Sequence, residues 1–140
     1  MTATNDVGSG KMRGKGVSVV RRSERKLPTQ TTPGMQRDEI FATGGTWIGT
    51  VRTEPGVETG WHHHGAYESY VYVLEGTARM EFGPGGQERL DCHPGDVVRV
   101  APGVIHREIT IGDRPSEALL LRVGSGQVTF NTDGPEPAEA

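Results

Sequence analysis

No stretch of this chain sustains a helical period, and that absence confines it to a β architecture. Its apolar residues come in runs of four to eight, cut by glycine and proline. Val17–Val20, Thr46–Thr53, Tyr70–Leu74, Ala78–Phe82, Val97–Val100, Glu108–Ile111, Ala118–Val123 and Gln127–Asn131 all read as strands, being rich in β-branched and aromatic residues. Between them lie turn sequences such as Glu54-Pro55-Gly56, His93-Pro94-Gly95 and Pro102-Gly103. Many short strands at close spacing make an all-β sandwich or barrel.

A chain of 140 residues suits one domain. The folded part is expected over 17–133. Residues 1–16 are expected to be a flexible basic arm and 134–140 a disordered tail. Residues 1–26 carry seven Lys or Arg against Asp6 and Glu24, a local excess of +5, although the whole chain is at −3. That overall balance does not suit nucleic-acid or membrane-surface binding. No leader segment or membrane-spanning run is seen, and Cys92 has no partner for a disulfide. A cytoplasmic protein is the expectation.

The chemistry concentrates in the histidines. All five lie between residues 62 and 106, and His62-His63-His64 are consecutive. Alternation along a strand sends His62 and His64 one way and His63 the other. Two imidazoles on one face can share a metal ion. His106, after the Pro102-Gly103 turn, offers a third imidazole, and Glu68 offers a carboxylate.

The spacing around these residues resembles the cupin motifs. Gly56, five residues, His62, one, His64, three, Glu68, seven, Gly76 resembles the first; Gly95, six residues, Pro102-Gly103, two, His106 resembles the second. The resemblance runs from Thr46 to Ile111. It implies a cupin jelly-roll barrel with one divalent transition metal ion (iron, zinc, manganese or nickel) on His62, His64, His106 and Glu68. Glu68 departs from the family pattern, standing one position early, with Ser69 in the usual slot. A one-residue slip on a strand reverses the face. Two ligand sets therefore stay open: one with Glu68, and one of three histidines completed by water.

Glu108 shares parity with His106, so it either faces the ion as an acid or base, or sits at the surface beside Arg107. Tyr70 shares parity with Glu68 and either donates a hydrogen bond to substrate or packs. The resemblance implies a small-molecule enzyme (an oxygenase, isomerase or cyclase) or, alternatively, a non-catalytic binding module. It also implies a homodimer.

Overall fold

The computed structural model of the chain describes residues 6–7, 10–13, 16–28 and 31–137; the remainder of the expected arm and tail lies outside the described residues. Among the described residues thirteen strands follow in order. They are β1 (Asp6–Val7), β2 (Gly10–Arg13), β3 (Val17–Ser18), β4 (Gln36–Thr43), β5 (Thr46–Thr53), β6 (His62–His63), β7 (Glu68–Glu75), β8 (Thr77–Phe82), β9 (Glu88–Cys92), β10 (Val97–Val100), β11 (His106–Ile111), β12 (Ser116–Val123) and β13 (Phe130–Asn131). Two five-stranded antiparallel sheets result, ordered β10-β7-β12-β5-β4 and β13-β6-β11-β8-β9. The fold is the expected all-β jelly roll, although hydrogen bonding does not close the two sheets into a barrel.

The expected strands at 46–53, 97–100 and 118–123 appear with bounds at or near those read from the sequence. Within the two five-stranded sheets, β4 and β9 were not anticipated. Both β4 and β9 lie at the edge of their sheets, and the outer side of β4 is bridged at Glu39 to Lys26. Their sequences, QRDEIFAT and ERLDC, carry the charge that edge strands tolerate. The segment read as an arm contains β1 and β2, which join β3 in a separate three-stranded sheet.

The core is split in two. One cluster joins Trp47, Val51, Val71, Ala118 and Leu120 on the inner face of β5, β7 and β12. The other joins Val73, Met80, Cys92 and Val100, spanning both sheets. Strand alternation produces this split: every second residue is buried from Ser69 to Val73 in β7 and throughout β12. The outward set includes Tyr72, Leu74, Val97, Leu119, Leu121 and Val123, all exposed. Among the described residues no helix is long and apolar enough to cross a membrane.

The chain changes sheet between β7 and β8 at Gly76, whose φ is +71°. A Cβ there would run into the Pro115 carbonyl oxygen and lie 2.8 Å from the Ser116 Cα. Gly56 has a similar φ of +73°, but nothing lies within 4 Å of its Cβ position. Gly56→Ala should therefore cost only the left-handed backbone term, about 1–2 kcal/mol. Gly76→Ala adds a clash with main chain and should cost about 2–5 kcal/mol. Urea denaturation of both variants checks this, and equal losses would remove the steric role of Gly76.

Candidate metal centre

His62 sits on β6 and His106 on β11, directly paired across the ladder. His64 follows β6 on the same inward parity. The three rings are buried, with His62 at 0 % exposure. Their centroids lie 4.3 Å (His62–His106), 5.1 Å (His62–His64) and 5.3 Å (His64–His106) apart. As alternation requires, His63 points away, stacking on Phe130 at 4.8 Å while its Nδ1 accepts from the Gly65 amide.

Each inward imidazole is held by a main-chain carbonyl. Nδ1 of His62 meets the Gly60 oxygen at 3.0 Å, that of His64 meets the Val128 oxygen at 2.8 Å, and that of His106 meets the Val104 oxygen at 2.9 Å. A carbonyl only accepts, so each Nδ1 carries the hydrogen and each Nε2 presents a lone pair. The ligating atoms of the three residues lie within 4.8 Å of one another. The Nε2 of His62 is buried with no hydrogen-bond partner. The cavity they face measures about 10 Å³ and is also lined by Ser69, Glu108 and Arg122. That is room for one water or one ion. Three neutral nitrogen donors with an orphaned lone pair fit a divalent transition metal ion.

The structure does not bring Glu68 to this cluster. On β7 the inward residue is Ser69, 3 % exposed with its hydroxyl unpartnered. Glu68 lies on the outer face, where it accepts from the Tyr70 hydroxyl at 2.7 Å and from Arg99. The hydrogen bond from Tyr70, and then that from Arg99, hold its carboxylate below the ordinary range. Tyr70 shares that outer face and also lies away from the histidines. Both placements follow from the one-residue slip: the register of β7 is unbroken from Glu68 to Val73, its one shift lying beyond Val73, so nothing re-aims Glu68.

Glu108 faces inward and lines the same cavity. Arg107 pairs instead with Glu81 and Glu58, at 2.7 and 2.6 Å. Burial pushes the Glu108 carboxyl up, with Arg37 and Arg122 pulling against the shift. These two arginines were not anticipated from the sequence. Arg37 and Arg122 are 4 % and 2 % exposed. Arg122 donates from Nη2 to Nε2 of His64 at 3.3 Å, and its guanidinium lies over Trp47 at 4.6 Å. The signal for Arg122 was present in the alternation Ala118, Leu120, Arg122, which places it on the buried face of β12. Arg37 lies on an unanticipated strand. A larger, mostly apolar cavity of about 240 Å³ adjoins through His106, Met80 and Val100.

The imidazoles are kept neutral chiefly by burial. That pushes His62 down to about 2 and His106 to about 4, and depresses His64 strongly as well. A histidine in the unfolded chain titrates near ~6.5. Between there and about pH 4, the unfolded metal-free chain binds protons that the native state refuses. Stability therefore falls as pH falls through that window. Three such groups set a ceiling of about 4 kcal/mol per pH unit. Glu108 works in the opposite sense, since its raised carboxyl takes up a proton in the native state first. Urea unfolding of metal-free protein from about pH 7.5 to about pH 5 should show a loss steeper than one proton allows and below that ceiling. A flat profile would contradict it.

Residues 49–122, just over half of the chain, match the family model described as Cupin domain. No curated protein sequence matches the chain significantly. Solved structures share its fold. The DMSP lyase DddQ from Ruegeria pomeroyi aligns with a TM-score of 0.61 at 25 % identity, over 70 % of this chain and 51 % of that one. KdgF from Halomonas sp. aligns at 0.63 and 20 % identity, over 78 % and 96 %. An oxalate decarboxylase from Bacillus subtilis, described for its Mn(II) centers, aligns at 0.62 and 23 % identity, over 76 % and 30 %. The motif spacing, the jelly-roll sheets and the matched family model agree that this chain belongs to the cupin domain family.

Proposed function

We propose that the chain is a metal-dependent enzyme acting on a small molecule, with one divalent transition metal ion held by His62, His64 and His106. The observation that carries this reading is the convergence of one ring nitrogen from each of three buried imidazoles, within 4.8 Å of one another, on a cavity one ion wide. Iron, zinc, manganese and nickel suit three imidazoles better than calcium or magnesium. A DMSP lyase and a manganese-containing oxalate decarboxylase among the structural neighbours show that this fold supports such chemistry elsewhere. A bound ion would supply Lewis acidity and an open position for substrate.

The chain's own residues divide the remaining work. The carbonyls of Gly60, Val104 and Val128 orient the imidazoles. Glu108, raised by burial, gives or takes a proton beside them. The apolar cavity bounded by Met80, Phe82, Val98, Val100 and Val104 admits the substrate body and excludes water. Neither Glu68 nor Tyr70 is given a part, because both face outward.

Elemental analysis should find close to one transition metal ion per chain. His62→Ala, His64→Ala and His106→Ala should each weaken metal affinity by more than the ~10–100-fold typical of losing an outer partner. His63→Ala and Glu68→Gln should leave it nearly unchanged. Loss of metal in Glu68→Gln equal to that in His62→Ala would overturn the three-histidine site. Turnover abolished by Glu108→Gln with metal retained would support catalysis, whereas ligand binding without turnover would favour a binding module.

The homodimer is proposed on the exposed apolar face, where Val97 pairs with Tyr72 and Tyr72 with Leu119 across neighbouring strands. Light scattering should return twice the 15.1 kDa chain mass. A monomer at micromolar concentration would remove this proposal.

A further inference from the structure

Two guanidinium groups are enclosed beside the imidazoles with too few acceptors. Arg122 has no partner on Nε or Nη1, and Arg37 has none on Nε. Arg37 spends its other nitrogens on the Thr32 hydroxyl at 3.0 Å and the Met35 sulfur at 3.3 Å, neither of which carries charge. Among the described residues, Glu108 is the one carboxyl acting on both. Two guanidinium groups therefore face a single carboxyl, and a divalent ion would add two further positive charges. Enclosed charge without a counterpart is costly, so the loaded site calls for an anion.

The contact between Arg122 and His64 identifies which anion. Nη2 of Arg122 donates to the Nε2 lone pair of His64. A metal ion needs that same lone pair. Loading the site therefore releases Nη2 and repels the guanidinium from its present acceptor. The Nε and Nη2 hydrogens lie along one edge of the guanidinium plane, a parallel fork that matches the two oxygens of a carboxylate. Packing on Trp47 retains the guanidinium beside the cavity once it has left His64. The cavity at the imidazoles holds no more than one ion, so a carboxylate enters as Arg122 leaves His64. The adjoining cavity is mostly apolar, which suits a small apolar remainder.

We propose that the substrate of this site is a small carboxylate, recognised through its carboxylate group by the Nε–Nη2 edge of Arg122, with Arg37 adding positive charge. The proposal rests on the metal reading above, and the test separates the two. Zinc is titrated calorimetrically into metal-free protein in the presence of propionate, or of propionamide as the neutral isostere. Propionate should raise zinc affinity about 10-fold, since coupling between two ligands is reciprocal, and propionamide should not. Propionate's own weak hold on zinc acts against this sign. In Arg122→Gln, zinc should bind at least as tightly as in the wild type, and the propionate effect should vanish. Arg122→Lys, which keeps the charge without the fork, should lose most of the effect and serves if the Gln variant does not fold.

Equal zinc affinity with propionate and propionamide in the wild type would overturn the carboxylate proposal and leave the metal reading standing. A wild type that binds no zinc would overturn the metal reading. It would overturn the carboxylate proposal with it, because Arg122 would then stay on His64 and its fork would not be released.

Discussion

Strict alternation along facing strands is the constraint on which the rest of this structure depends. Each strand between the two sheets must commit every side chain to the interior or to the surface. On β6, β7, β11 and β12 that choice sends His62, Ser69, His106, Glu108 and Arg122 inward together. The same choice sends Glu68, Tyr70 and Arg99 outward, where they form a hydrogen-bonded group of their own. A single-residue change of register on β7 would exchange Glu68 for Ser69 at the histidines.

The interior is consequently a polar centre flanked by two apolar clusters. Trp47, Val51, Val71, Ala118 and Leu120 lie to one side, and Val73, Met80, Cys92 and Val100 to the other. Those clusters provide the hydrophobic stabilisation, and the centre opposes it. Burial lowers Arg37 to about 10 and Arg122 to about 9, which leaves both charged at neutral pH. Such enclosed charge is tolerated in functional sites, where ligand interactions offset it. Three imidazoles, each tied by Nδ1 to a carbonyl, are likewise prearranged at a cost to the metal-free chain.

Much of the fold was legible because turn chemistry and strand composition agree. The strands at 46–53, 97–100 and 118–123 are β-branched runs bounded by Gly or Pro. β4 and β9 were not legible because an edge strand pairs on one side and need not be apolar. Gln127–Asn131 shortened to Phe130–Asn131, whose pairing is with β6 alone. The histidine triad was legible through its spacing. The arginines beside it were not, because an arginine in a strand reads as a surface residue until the opposite sheet is in place.

The sequence by itself determined the β class, the family motifs and the inward parity of His62, His64 and His106, because these follow from local spacing and turn residues. Tertiary structure alone decided that Ser69 and not Glu68 faces the imidazoles, that Glu108 turns in, and that Arg122 donates to His64. Those outcomes depend on which residues of distant strands stand opposite one another. Position 122 lies 58 residues from His64, and only the pairing of β7 with β12 and the facing of the two sheets bring them together.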